Sequence, residues 1–589
     1  MAATKETVVV TVDAADIVKD SSATSSSKSE GDPDSTNTPA VAVGDATPYL
    51  TGFKLFILMS GLTTLMLLVM LDIAILSTAI PQITSDFNRL QDVGWYVGAY
   101  SLASATVQPL TGKFYTYFST KWTLLTFFFI FEVGSAVCGA AQSSVMLIIG
   151  RCIAGIGCAG LSNGTLTVIV GAVSNDKRPL YTGIAMGIGQ IGIIIGPIIS
   201  GAFTEHVTWR WCFYINLPLG ALVGLFLISI HIPDHIVKRP LTTEVLKEIF
   251  HNLDLTGFAL FAPASIMLLL ALQFGSGDYG WKSPAVIGCF CGAGAIGILF
   301  LFWEKRMGKK AMIPLELVRR QVVWSSSIYY ACSMSVTIGG GSFMPIYFQS
   351  VRGLAPTMSA VYILPSIFGQ IFFILLSGGL MTRLGYYIPW AAFAAGVSSI
   401  GSGVIGTWKP STTLAQIFGI QILYSARGAG MQAVSGNYSD TQGETSIADA
   451  QQLQGAVALQ NTLPADEIAV GTSFLIFCQN IISSIFVTIA NTVFQESLRS
   501  RITNTAPGVS PEQAILAGGG ADAVRKLAPA GSELLEKVLM AYSEGFGDVF
   551  YFYTAVGVVS FFASFGMGWV DLRKNIEKKD ETEGPDVEK

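Results

Sequence analysis

Residues Gly183 to Gly201 read GIAMGIGQIGIIIGPIISG, and this stretch decides how the rest of the chain is read. Gly183, Gly192, Gly196-Pro197 and Ser200-Gly201 set the frame G-x8-G-x3-G-P-x2-S-G inside an otherwise apolar run. A membrane helix with small residues on this repeat loses side-chain bulk along one face, so another helix can approach its backbone closely. Pro197 lacks the amide that would continue the helical ladder, and it permits a bend.

The composition around this helix sets the class. The chain has 589 residues, 51% of them apolar and 13% charged, with a mean hydropathy of +0.54. Soluble domains carry about 25% charged residues, so this is an integral membrane protein. A net charge of −5 without a basic, aromatic-interleaved cluster offers no nucleic-acid interface. The eight cysteines, from Cys138 to Cys478, fall in or beside apolar runs. That suits reduced packing cysteines rather than a disulfide framework. The sequence has no metal-ligand spacing and no nucleophile–base set, so neither a metal centre nor an enzyme is expected. It also lacks a G-x-x-x-x-G-K-[ST] loop, so no ATP-driven pump is expected.

A spanning helix needs roughly 20 apolar residues. Fourteen windows qualify: 55–79, 93–115, 122–141, 145–170, 182–203, 212–231, 255–274, 284–303, 324–348, 357–380, 388–407, 412–433, 467–494 and 546–570. Basic residues concentrate in alternate loops, for example Lys121, Lys177, Arg178, Lys305, Arg306, Arg319, Arg320 and Arg383. The positive-inside rule makes those loops and both termini cytoplasmic. The expected organisation is a disordered tail (1–50), a six-helix half (51–232), a linker with two helices (233–321), a second six-helix half (322–570) and a charged tail (571–589). Stretch 495–545 is expected as an external loop.

A faint repeat supports the two halves. Gly112-Lys113-Phe114-Tyr115-Thr116-Tyr117-Phe118-Ser119-Thr120-Lys121 follows the second window. Gly378-Gly379-Leu380-Met381-Thr382-Arg383-Leu384-Gly385 follows the tenth. Both resemble the loop signature G-x-L-a-D-r-x-G-r-k of the major facilitator superfamily, with Thr in place of its Asp. The glycine frame of 183–201 resembles the fifth-helix signature of that superfamily's proton-coupled antiporters, with Ser200 replacing one glycine. The resemblance implies an all-α membrane fold of fourteen helices, two six-helix halves joined by two linker helices. It also implies alternating access around a midplane site.

Charges inside spans are costly and usually functional or paired. Asp72 lies in LDIAILSTAIP (71–81), which resembles the first-helix motif L-D-x-T-I-x-x-x-A-x-P of fourteen-helix drug:proton antiporters. A carboxylate buried in low dielectric readily takes up a proton, and the reading makes Asp72 a proton carrier. Arg151 opens RCIAGIG (151–157), which resembles the fourth-helix motif R-x-x-q-G-x-g. Its guanidinium stays charged and biases a nearby carboxylate or binds an anionic group. Glu132 is read as a second proton site or as the counter-charge of Arg151. Arg427, near the end of the twelfth window, is expected to reach the cytoplasmic interface. Tyr347, Gln349, Gln421 and Gln479 offer polar groups among aromatics, as a surface for a large, weakly polar ligand does.

The stretch WRWCFYINLPLG (209–220) resembles W-R-W-x-F-x-I-N-x-P-x-G of fourteen-helix relatives and reads as architectural. Together the motifs are similar to fungal drug:proton antiporters that export mycotoxins and other secondary metabolites. That resemblance implies outward transport of a small hydrophobic compound driven by the proton gradient, with no cofactor, by a monomer in the plasma membrane. A vacuolar or vesicle membrane is the alternative location. An importer of iron–siderophore complexes and a non-transporting receptor are the alternative functions. Residues 434–454 break the expected run into the thirteenth helix. They are polar and unpatterned, they can be encoded with splice-donor-like, branch-like and CAG-terminal codons, and they read as a translated retained intron. The sequons at Asn437 and Asn163 fall in a cytoplasmic loop and within a span, so neither is expected to be glycosylated.

Overall fold

The computed structural model describes residues 50–173, 178–230, 232, 254–276, 280–308, 311, 318–384, 386–430 and 465–569. Among these residues the regular structure is helical, without a strand. The insert at 434–454, Gly385 and both tails lie outside the described residues.

The first half comprises α1 (Gly52–Phe87), α2 (Val93–Tyr117), α3 (Thr120–Gly139), α4 (Ser144–Ala172) and α5 (Arg178–His206). Its sixth position is divided between α6 (Trp211–Tyr214) and α7 (Asn216–Ser229). The linker pair is α8 (Leu255–Ser276) and α9 (Pro284–Met307). The second half runs through α10 (Gln321–Ile346), α11 (Pro356–Leu384), α12 (Ile388–Ile405), α13 (Leu414–Tyr424) and α14 (Ala465–Thr505). Two short helices, α15 (Pro511–Leu516) and α16 (Ala521–Arg525), lead to α17 (Glu533–Ser564). Helix therefore occupies both ends of stretch 495–545.

Sequence sets several of these boundaries. Ser143 accepts the Met146 amide at the start of α4, and Ser532 does the same for Leu535 at the start of α17. Such caps satisfy helix-end amides that have no partner within the helix. Asn88 ends α1 in the left-handed region at φ 53°, a conformation that Asn tolerates better than most residues.

Among the described residues ten helices are long and apolar enough to cross a membrane, and each coincides with one of the fourteen expected windows. The other four windows hold α2, α5, α10 and α13. Helices α2 and α10 carry buried Ser104, Gln108, Thr111, Ser325, Ser326 and Ser335. A helix screened by its neighbours can hold such groups, because other helices rather than lipid receive them. Helix α13 is interrupted by a turn at Ser425–Ala426, after which Arg427–Gly430 is helical again.

The two halves repeat one packing scheme. In the first, α1 packs on α5, α4 on both α2 and α3, and α7 on α1 and α3. In the second, α10 packs on α14, α13 on both α11 and α12, and α17 on α10 and α12. The halves meet where α2 packs on α14 and where α5 packs on α11. Exchanging the halves maps one of these contacts onto the other, which is the signature of a pseudo-two-fold axis. Linker helices α8 and α9 pack on each other, with α8 resting on α2 and α14. Ile298, Leu299, Leu301 and Phe302 of α9 remain exposed, as suits a helix facing lipid.

Burial divides the same way. The largest apolar cluster straddles both halves, joining Ile75, Ile80 and Phe213 to Phe343, Tyr347 and Phe494. A second cluster belongs to the first half, around Leu58, Leu65 and Phe131. A third belongs to the second half, around Tyr329, Tyr387 and Leu475. The halves thus share a core at the end where α1 finishes and α2 begins, called the sealed end below.

Candidate functional site

Glycines build the frame of the site. A Cβ on Gly192 would lie 2.8 Å from the Leu67 carbonyl oxygen and 2.9 Å from the Leu71 amide nitrogen of α1. A Cβ on Gly196 would lie 2.8 Å from the Ala74 Cβ. The frame read from 183–201 is therefore the seat of α1 on α5. Ser200 is fully buried and receives the Cys212 thiol at 3.6 Å. Gly201 faces the other half, 2.7 Å from the Thr357 Cα by the same measure. Gly183 lies in α5, with its surroundings outside the described residues. On α4, Gly155 lies directly on the Tyr100 backbone and Gly157 on that of Phe131, so α2, α3 and α4 converge beside Arg151.

That convergence brings together two charges 79 residues apart. Arg151 Nη1 donates to Asp72 Oδ2 at 2.7 Å, and the two side chains are 3% and 0% exposed. Arg151 Nε donates to the Tyr96 carbonyl at 3.1 Å, and its guanidinium stands 4.2 Å from the Tyr100 ring centroid. Asn216 Nδ2 donates to Asp72 Oδ1 at 3.3 Å and to Ser135 Oγ at 3.1 Å. Both oxygens of Asp72 are thus engaged. A buried pair survives desolvation only with such additional hydrogen bonds.

Asp72, not Glu132, is the counter-charge of Arg151. Both Glu132 oxygens are buried without a hydrogen-bond partner, lying directly over Gly220 of α7. The absence of a Cβ at Gly220 makes the room. Asn216 lies in the stretch that reads as architectural, and the fold shows it reaching Asp72.

The polar residues proposed to face ligand are mostly consumed by packing. Tyr347 is fully buried; its hydroxyl donates to the Lys409 carbonyl at 2.8 Å, and its ring packs 4.8 Å from that of Phe546. Gln349 Nε2 donates to the Thr78 carbonyl of the other half at 3.1 Å. Gln421 is fully buried and bonds the Tyr362 carbonyl at 2.8 Å. Gln479 alone of the four is half-buried, not buried. Arg427 is 5% exposed, packed inside the bundle.

The loop signature after α2 has an architectural role. Lys121 Nζ donates to the Ile228 and Ile230 carbonyls, each at 2.7 Å. It thereby satisfies acceptors at the end of α7, where a cation is favoured. Nothing lies within 4 Å of a Cβ built on Gly112. In the second copy, Gly378 lies in α11, but its surroundings, the Arg383 side chain and Gly385 are outside the described residues.

The sealed end is closed by bonds between the halves. Ser484 Oγ donates to the Gly98 carbonyl at 3.1 Å, and Asn491 Nδ2 to that of Gln91 at 2.7 Å. The Thr357 amide donates to Glu205 at 3.2 Å. Segment 506–532 caps this contact. Ser85 Oγ donates to the Ala517 carbonyl at 3.0 Å, and the Gly519 amide to Thr84 Oγ1 at 3.4 Å. Gly518, at φ +69°, has Thr84 Oγ1 at 2.7 Å from where a Cβ would stand. Glycine is the residue suited to this left-handed, close approach.

Two related helical halves sealed together at one end, the first of them holding a buried ion pair, are the plan of a membrane transporter. The chain belongs to the major facilitator superfamily: residues 62–318 match the Major Facilitator Superfamily profile. The chain is 45% identical over 555 residues to the MFS-type transporter calB of Penicillium decumbens, covering 94% of this chain and 95% of that one. It is 41% identical over 531 residues to the efflux pump mokI of Monascus pilosus, covering 89% and 93%. In fold it is similar to a solved bacterial homolog of the human lysosomal transporter Spinster, in its inward-facing and unoccupied conformation. That match has a TM-score of 0.58 and 14% identity, and covers 88% of this chain and 98% of the other.

Proposed function

We propose that the protein exports a small hydrophobic organic compound, a fungal secondary metabolite or drug, in exchange for protons by alternating access. The observation that carries this is the Asp72–Arg151–Asn216 cluster, buried in a bundle whose halves share a core at one end. With the positive-inside assignment, the sealed end faces out. A proton arriving at Asp72 removes the charge that holds Arg151 to α1. Arg151 keeps its bond to Tyr96 and its place over Tyr100, whereas α1 loses its strongest tie to α4. Because α1 also carries Thr78, Thr84 and Ser85 of the seal, the protonation state of Asp72 is coupled to the closure of that end. No cofactor is needed, since the gradient supplies the energy.

The relatives named as transporters and efflux pumps support outward movement of a small molecule. We assign the protein to the plasma membrane, working as a monomer. The test is substrate uptake into inside-out vesicles by the native protein and by Asp72→Asn. Uptake should collapse with an uncoupler and be lost in the variant. Uptake that ignores the gradient overturns proton exchange, and gradient-driven uptake by the variant removes Asp72 from the coupling.

A further inference from the structure

Arg427 is a buried cation that has no counter-charge among the described residues. Its Nε donates to Thr337 Oγ1 at 3.0 Å and its Nη1 to the Tyr424 carbonyl at 3.0 Å. Its guanidinium stands 4.0 Å from the Tyr424 ring centroid. Among the described residues no carboxylate pairs with it. Guanidinium has five N–H donors, and these contacts leave Nη2 unused.

The surroundings repeat those of Arg151 with one replacement. Each arginine follows the pseudo-two-fold scheme, Arg151 on the fourth helix of its half and Arg427 just after α13, the fourth of the other. Each guanidinium rests on a tyrosine ring, and each donates to a backbone carbonyl. Each also reaches the first helix of its own half. There Arg151 meets Asp72, whereas Arg427 meets Thr337, a neutral hydroxyl. Helix α10, which carries Thr337, faces α1 across the boundary between the halves, where transporters of this plan place their ligand. An unpaired charge in a bilayer is costly, and a ligand bringing its own anionic group would remove that cost on arrival.

We propose that Arg427 anchors an anionic group, a carboxylate or an acidic enol, of the transported organic molecule. Thr337 supplies a second polar contact beside it. The two arginines then divide the work: Arg151 is paired with Asp72 and serves the proton, and Arg427, with no carboxylate partner among the described residues, serves the cargo. This rests on the reading of the protein as an exporter, but its test needs no transport.

The full-length protein is purified into nanodiscs of phosphatidylcholine, and its thermal unfolding is followed with 2-naphthoate and with the uncharged 2-naphthamide. Naphthoate should raise Tm by several degrees, and naphthamide should not. Loss of a charge-assisted contact is expected to weaken naphthoate binding about tenfold or more in Arg427→Gln, while Arg427→Lys retains part of it. Thr337→Asp installs the missing carboxylate, so it should raise Tm without ligand and abolish the response to naphthoate. A native protein responding alike to both compounds, or to neither, overturns the proposal. So does Thr337→Asp that lowers Tm and leaves the naphthoate response intact, which remains decisive if Arg427→Gln fails to fold. Phosphatidylserine discs that block the naphthoate response through Arg427 would assign the anion to a lipid headgroup and overturn the cargo role. If the anion responses hold but vesicle uptake ignores the gradient, the exporter reading fails while the anion site stands.

Discussion

The Thr78 hydroxyl donates to the carbonyl of Pro197 at 3.0 Å, while the Thr78 carbonyl accepts Gln349 Nε2 at 3.1 Å. One residue thus links the glycine-seated contact of α1 with α5 to the contact between the halves. Movement of α1 along α5 is transmitted to the seal through it.

Gln349→Leu should loosen the sealed end. It removes the bond to Thr78 and leaves a buried carbonyl with one partner fewer, worth about 1 kcal/mol, or roughly a fivefold change in the closed-to-open ratio. Spin labels at exposed Val207 and Leu516, read by double electron–electron resonance, should show a larger long-distance population. An unchanged distribution would show that the bond does not hold the seal.

The Asp72–Arg151 pair should behave as a unit. Asp72→Asn alone strands a buried cation, and breaking such a pair costs about 3–5 kcal/mol. Arg151→Gln added to it should recover part of that loss without restoring proton-driven uptake. A double-mutant cycle on thermal unfolding measures the coupling, and additive losses would argue against it.

Glycine positions in α5 should separate by what lies opposite. Gly192→Ala drives a Cβ against two backbone atoms of α1, and overpacking of this kind costs about 1–3 kcal/mol. Gly189→Ala meets its nearest neighbour, the Met66 Cβ, at 3.5 Å, an ordinary contact, and should be tolerated. Yield of folded protein and uptake rate distinguish the two.

Glu132→Gln should leave gradient-driven uptake within about twofold of native, because an amide of the same shape fills the space over Gly220 without disturbing a bond. Loss of gradient dependence in this variant would make Glu132 a proton carrier alongside Asp72.

If 434–454 is a retained intron, transcript sequencing should find messages joining Ala433 to Gly455 in frame. Messages that always carry the intervening codons would place the segment in the protein.

What the sequence made legible were features that are rare in an apolar chain. Glycines on a fixed repeat stood out, and each one described in α5 lies against a neighbouring helix. Asp72 and Arg151 stood out as charges, but their pairing depended on α1 and α4 meeting, which no local pattern encodes. Tyr347, Gln349 and Gln421 bond to backbone carbonyls elsewhere in the bundle, and in sequence a polar side chain facing another segment looks like one facing an open cavity. Arg427 lies near the end of its window, and its burial comes from packing that no local pattern encodes. The turn at Ser425–Ala426 falls inside that window, with neither Gly nor Pro at either position. The cap at 506–532 lies within the expected external loop, and no local pattern encodes its bonds to Thr84 and Ser85, more than 400 positions earlier.

That separation fixes an order of events in biosynthesis. The residues that stopper the end of α1 are among the last portions of the membrane body to leave the ribosome. Until residue 519 has emerged, the first half resides in the bilayer with Thr84 and Ser85 lacking these partners. A nascent chain halted earlier would be a bundle without its stopper, so quality control that recognises the open end would need no other mark of an unfinished molecule.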